Sequence, residues 1–365
     1  MMEPVFPEPT EPRESWLGST EPVVNFLLTS TREQAVAGRK WVNDCYSRFP
    51  DENSKFRGRL RSERDEDYLT ALDELFLHER LLSSGTVTNE EGGRGPDFRI
   101  YRDSTYLGAI EVRSIFTRQD WSDELFQHGT ISDELNSRLK LGNWFLGFKV
   151  IQLERQPSFQ SLTRWLKERL EELDAESPNS GASKPPPVTY TTTGVRLEFQ
   201  FIRRTSAQPP RPGDRIIGPS AMVGGFDNSA ERLRLALKAK VNKNYDLRGA
   251  PFAIWVGAEK IILSVEDVTN ALFGDEQVSF PSMALTRARN GFFRPGRNTR
   301  LSCIFVAYNW APWSPDTAVV VRFDNPYGSV AFPDDITPAD YRLSEVYRDG
   351  ESFKLDWLPH FPSIG

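Results

Sequence analysis

Asp97 and Glu111 stand in the stretch of this chain most suited to chemistry, Gly92 to Ser114, GGRGPDFRIYRDSTYLGAIEVRS. β-formers recur there at period two, Phe98 and Ile100 before a turn and Leu107 and Ala109, with Ile110 and Val112 on the opposite face, after it. Arg102 to Thr105 supplies the turn chemistry. A hairpin centred on Ser104 pairs residues whose numbers sum to 208, which sets Asp97 opposite Glu111. Side chains alternate along a strand, so Asp97, Arg99 and Tyr101 share a face with Ala109, Glu111 and Arg113. Carboxylates so placed have Cβ atoms about 5 Å apart and repel. A hard divalent cation bound through oxygen is the chemistry such a pair suits. The structural alternative is that Asp97 closes a turn and Glu111 pairs with an arginine.

The order of these residues resembles the signature of the PD-(D/E)XK, or restriction-endonuclease-like, nuclease superfamily. Pro96-Asp97 opens one strand, and Glu111-Val112-Arg113 lies on its hairpin partner. Upstream, ALDELFLHERLLSSG resembles the helix that precedes that signature, with Glu74 as its acidic residue. The resemblance covers roughly Asp65 to Arg204, the span of one ordinary domain. It implies an α/β fold, a restriction-endonuclease-like core of a mixed central sheet flanked by helices. It also implies Mg²⁺- or Mn²⁺-dependent hydrolysis of phosphodiester bonds, in DNA more than RNA. Asp97, Glu111 and the Val112 carbonyl would be the metal ligands, and Glu74 would hold a second ion or a metal-bound water.

Arg113 stands where the pattern has lysine. A buried lysine can give up its proton, whereas arginine stays charged. Arginine can still offer directed donors to a phosphate, or lock Asp97 and Glu111 into an inert ion cluster. Lys140 and Lys149 are candidates for a relocated lysine. The expected catalytic set is thus Glu74, Asp97, Glu111 and Arg113, with Arg94, Arg99, Lys140 and Lys149 as nucleic-acid contacts. The alternative is a catalytically inactive relative that binds nucleic acid or protein.

The elements that must position these groups follow in order. Residues 1–22 carry five prolines and scattered acids and are expected to be a disordered tail. A helix is predicted from Arg32 to Cys45 and another from Asp65 to Leu82, with Leu69, Leu72, Leu75, Phe76 and Leu82 buried. His78 lies four residues from Glu74, on the same flank. Trp121 to Leu141 is predicted as a helix interrupted near Gly129, Asn143 to Leu153 as a buried strand, and Ser158 onward as an amphipathic helix. Residues 174–188 are expected to be a flexible insert within a core spanning 23–205. After a proline-rich break at 208–213, residues 214–365 are expected to form a C-terminal α/β segment packed on that core. Its helix near 229–243 carries Arg232, Arg234, Lys238, Lys240 and Lys243, a solvated face or, alternatively, a phosphate track.

Composition bounds the rest. At 365 residues, 38% hydrophobic and 26% charged, the chain suits a globular protein, and its net charge of −6 argues against nonspecific coating of nucleic acid by a basic surface. No apolar run is long enough to cross a bilayer. The acidic, proline-rich start is unlike a secretory leader, so a cytoplasmic, membrane-free protein is expected. Cys45 and Cys303 are too few and too far apart for a disulfide framework or zinc site.

Overall fold

The structure, a computed structural model, describes residues 3–82, 86–89, 95–115, 119–142, 144–176, 185–203, 215–217, 229–243, 245–257, 263–279, 284–349 and 352–358. The chain begins with helices α1 (Asn25–Thr29), α2 (Glu33–Tyr46), α3 (Lys55–Leu60) and α4 (Asp65–Leu81), then strands β1 (Thr86–Asn89), β2 (Phe98–Arg102) and β3 (Thr105–Ser114). There follow α5 (Gln119–Arg138), β4 (Trp144–Leu153), α6 (Phe159–Glu176), β5 (Val188–Thr192) and β6 (Val195–Arg203). The last part holds α7 (Ser229–Val241), β7 (Phe252–Gly257), α8 (Val265–Phe273), β8 (Glu276–Ser279), β9 (Ala284–Arg287), β10 (Leu301–Tyr308), β11 (Val319–Asp324), β12 (Tyr341–Asp349) and β13 (Ser352–Leu358).

The chain divides into two compact units, at borders other than those expected. The first comprises Met1–Pro9, Arg32–Thr117 and Asp227–Gly365; the second comprises Thr10–Thr31 and Arg118–Phe226. Residues 227–365 are therefore no segment added to a finished core. They supply β7, β10, β11, β12 and β13 to one mixed sheet of order β1-β2-β3-β7-β10-β11-β12-β13. The reason is visible in the strands: every residue of β7 and β10 is buried, so each needs a neighbour on both edges and cover on both faces.

Within the first unit, β1, β2 and β3 form an antiparallel meander and β7 joins β3 in parallel. The β2–β3 turn is tighter than expected. Asp103 and Ser104 both take positive φ, 49° and 65°, as the two central residues of a hairpin turn of this hand require. A bulge between Ile100 and Tyr101 then shifts the register by one. Below the bulge Phe98 pairs with Ile110 and Ile100 with Gly108, so the pairing sum of 208 holds where it matters. Asp97, one residue before β2, comes opposite Glu111.

The two faces of β3 meet different helices. Ala109 packs with Leu233, Ala236 and Leu237 of α7. On the other face the Ser114 hydroxyl donates to Asp73 of α4 at 2.6 Å. That side is rich in rings: Phe76 stacks on Trp310 at 4.3 Å and meets Trp255 edge-on, while His78 lies against Phe49 and Phe98. The expected disorder at the start of the chain is corrected. Val5 and Phe6 are buried, and the Phe6 amide donates to Asn43 Oδ1 at 2.9 Å. Prolines exclude helix and ladder pairing but not the burial of an apolar anchor.

The second unit is built on an antiparallel sheet of order β4-β6-β5, whose strands alternate buried and exposed residues. Its core gathers Leu135 and Leu139 with Leu146, Leu162, Leu166, Phe199 and Phe201. Helix α5 runs through Gly129 without the expected break. A Cβ there would lie 3.1 Å from Thr20 and 3.2 Å from Ser19, so the glycine serves close packing. β4 is half-buried rather than fully buried. Most of the expected 174–188 insert and all of 208–213 lie outside the described residues.

Gly257 ends β7 directly beneath Asp73: a Cβ on it would stand 1.7 Å from Asp73 Oδ2. Gly257→Ala should therefore destabilise the protein by about 1–3 kcal/mol, the scale of overpacking a tight interior, read as a lowered denaturant midpoint. An unchanged midpoint would show that α4 yields freely at this contact.

Candidate functional site: a carboxylate and lysine cluster

Glu74, Asp97 and Glu111 reach one region from three elements. Helix α3 brings the counter-charge for the first. Its start is held by Asp51, which accepts from the amides of Phe56 at 3.2 Å and Arg57 at 2.8 Å and from Tyr46 Oη at 2.8 Å. Arg59 on this helix then grips buried Glu74 with both guanidinium nitrogens, each bond 2.7 Å long. A bidentate, charge-assisted pair of this kind fixes orientation as well as charge.

Glu111 is fully buried, and its environment is the main departure from expectation. Oε1 accepts from Lys240 Nζ and, at 3.0 Å, from Lys243 Nζ; Oε2 accepts from Tyr245 Oη at 2.9 Å and the Asp97 amide at 3.3 Å. The neutralising cations thus come from α7 and the turn after it. Lys240 lies three residues from Leu237, four from Ala236 and seven from Leu233, so it shares the buried face of α7. That spacing was the available signal, and a run of basic residues masked it. Arg234 of the same run is also committed, to Asn270 O, Ala271 O and Asp275 of α8 and the turn after it.

Asp97 faces Glu111 through a reciprocal pair of backbone contacts. While its amide donates to Glu111, its own Oδ2 accepts from the Val112 amide at 2.7 Å. For Val112 the structure thus shows the N–H engaged. Burial, Glu111 and Glu74 push the Asp97 carboxyl up to about 7, against the opposing pull of Lys240 and the Val112 amide. Glu74 has Arg59 and Glu111 has two lysines; Asp97 has no ion pair among the described residues.

Arg113 sits two residues beyond Glu111 on the same face of β3, partly buried. It forms no ion pair with Asp97 or Glu111 among the described residues, and its Nε is buried without a hydrogen-bond partner. Of the expected nucleic-acid contacts, Arg99 is used inside the fold. It is buried over the Tyr106 ring at 5.5 Å and donates to the Asp246 carbonyl at 3.2 Å. Lys140 and Lys149 are exposed residues of the second unit, and Arg94 lies outside the described residues.

Sequence reasoning also passed over Asp73, beside Glu74 on α4. It is fully buried, accepting from Ser114 Oγ at 2.6 Å and Trp310 Nε1 at 3.1 Å. Burial drives its carboxyl up to about 7, with Glu74 adding to the rise and the two donors opposing it.

Among the described residues, no group of three or more His, Cys, Asp or Glu side chains is arranged to hold a metal ion. Mg²⁺, however, is commonly held by one or two carboxylates, with waters and substrate phosphates completing its shell. Asp97 and Glu111 fit that requirement by chemistry, as hard oxygens in a site where Asp97 lacks a counter-ion among the described residues. No family model, curated protein or solved structure matches the chain. Among the described residues, no helix is long and apolar enough to cross a membrane.

The buried Asp73 gives a pH test. Its folded pKa stands above the ordinary value of 3.8, so the folded state binds more protons between the two values. Its contribution to stability is therefore greatest below about pH 4 and is lost as pH rises through about 7. Asp73→Asn removes that dependence, so the variant should gain on the wild type in urea midpoint as pH rises from about 4 to 7. A difference that does not vary with pH would show that Asp73 is ionised throughout.

Proposed function

We propose that this protein is a metal-dependent phosphodiesterase acting on nucleic acid, a nuclease with a restriction-endonuclease-like core. The observation that carries the reading is the meeting of Asp97, Glu111 and Lys240 on adjacent elements, two acidic residues and a lysine on a buried carboxylate. The order of elements supports it too: α4, the meander β1-β2-β3, then α7 and β7 parallel to β3. In this reading Lys240 takes the place of the lysine that Arg113 replaces, arriving from the next helix of the same unit.

Asp97 and Glu111 would hold Mg²⁺ or Mn²⁺. The bound ion would supply a Lewis acid for the phosphate and lower the pKa of a coordinated water. The chain's own residues do the rest. Glu74, fixed by Arg59, stands close enough to Asp97 to help raise its carboxyl. Lys240 presents its ammonium at the same carboxylate, where it would orient an attacking water or neutralise a phosphate oxygen. Arg113, with a buried N–H lacking a partner among the described residues, can donate to a phosphate as charge builds in the transition state. One observation favours the alternative of a silent, binding-only relative: both Glu111 oxygens are already filled by donors.

Cleavage assays on DNA and RNA with Mg²⁺ or Mn²⁺ separate the two. Activity should vanish with chelator, and Asp97→Asn or Lys240→Met should lower it by about 10²-fold or more, the scale of losing one directed transition-state contact. Arg113→Ala should lose a similar factor, with the fold retained by circular dichroism. Turnover that survives chelator or Asp97→Asn would overturn the assignment, and binding without cleavage would favour the alternative.

A further inference from the structure

A carboxylate has about four lone-pair positions, and Glu111 has four donors on it: Lys240, Lys243, Tyr245 and the Asp97 amide. A cation can reach this residue only if one donor leaves. The four differ in what departure would cost. The Asp97 amide is backbone, held in place by the reciprocal bond from the Val112 amide. Tyr245 is buried and packs edge-on against Phe252, so its hydroxyl cannot turn to water without breaking that contact. Lys240 has a side chain only 16% exposed and lies on the buried face of α7, where an unpaired ammonium is expensive. Lys243 lies past the end of α7 with 47% of its side chain exposed, and its ammonium can swing into solvent. Burial works to lower the Lys243 pKa, but hydrogen bonds to Tyr245 and Glu111 outweigh it and raise the value, so the group is a full positive charge.

We propose that Lys243 is a tethered counter-ion that occupies the cation's place on Glu111 and must be displaced for a divalent ion to bind, so that it sets the metal affinity of the site. This rests on the reading of Asp97 and Glu111 as metal ligands. Lys240 stays at the carboxylate in both states, while Lys243 alternates between Glu111 and water. The gate needs no movement of the backbone, because the side chain alone carries the charge away.

Calorimetric titration of the full-length protein with Mn²⁺ tests this without any substrate. Lys243→Met and Lys243→Gln should each bind Mn²⁺ about tenfold or more tightly than wild type, the scale of losing one competing charge-assisted hydrogen bond. Both should also show a larger rise in melting temperature on adding Mn²⁺. The control is Lys238→Met, on the exposed surface of α7, which should leave the affinity unchanged. Equal affinities for wild type and both Lys243 variants would overturn the gate while leaving the metal site standing. Weaker binding by the variants would overturn it too, by making Lys243 a helper. No Mn²⁺ binding by any of the proteins would remove the metal reading itself, and the gate with it.

Discussion

A carboxylate taken wholly out of water must be matched by donors and opposite charge, and Glu111 imposes that condition on the first unit. It stands in the middle of a sheet, on a strand paired along both edges, where it can neither reach solvent nor be shifted. The demand is met from α7, the turn after it, and the start of β2. Docking α7 against β3 is thus more than apolar packing: it delivers the Lys240 ammonium to the buried Glu111 carboxylate. Removing one partner of such an arrangement costs far more than the pair contributes, because a buried charge is left behind. That asymmetry ties the hairpin, the helix and β7 together.

The opposite face of β3 follows a different rule. Asp73 is satisfied by a hydroxyl and an indole, neither of them charged, and Gly257 leaves no room for a side chain beneath it. Two adjacent residues of one helix therefore live under opposite electrostatic conditions. Glu74 is gripped by the Arg59 guanidinium, while Asp73 is pushed toward its neutral form. Helix α4 joins a ring-lined interior to a polar cluster within a single turn.

Local pattern made much of this legible. The hairpin register near Asp97 could be worked out because alternation and turn residues act over a few positions. The helices at 33–46 and 65–81 declare themselves by apolar spacing. The partner of Glu111 could not be found that way. Lys240 lies 129 positions away, and nothing local says what the inward-turned residue of the basic run will meet. The apolar stripe of Leu233, Ala236 and Leu237 marks the face but not its target. The domain borders were missed for a related reason: a proline-rich break resembles a boundary, whereas the chain actually leaves the first unit after β3 and returns to it with α7 and then β7. Parallel pairing of β3 with β7 is a long-range event without a local signature.

That excursion bears on how the protein matures. The chain is made from its first residue onward, and domains generally fold as units during synthesis. Asp97 and Glu111 are thus in place on the growing chain well before Lys240, Lys243 and β7 exist. Until then the hairpin has an uncovered edge and an uncompensated acidic pair. Closing so long a loop carries an entropic cost that grows slowly with length, and an insert that collapses first shortens the span to be closed. The cluster can therefore be completed only after the second unit has been made, and any activity it supports belongs to the finished chain.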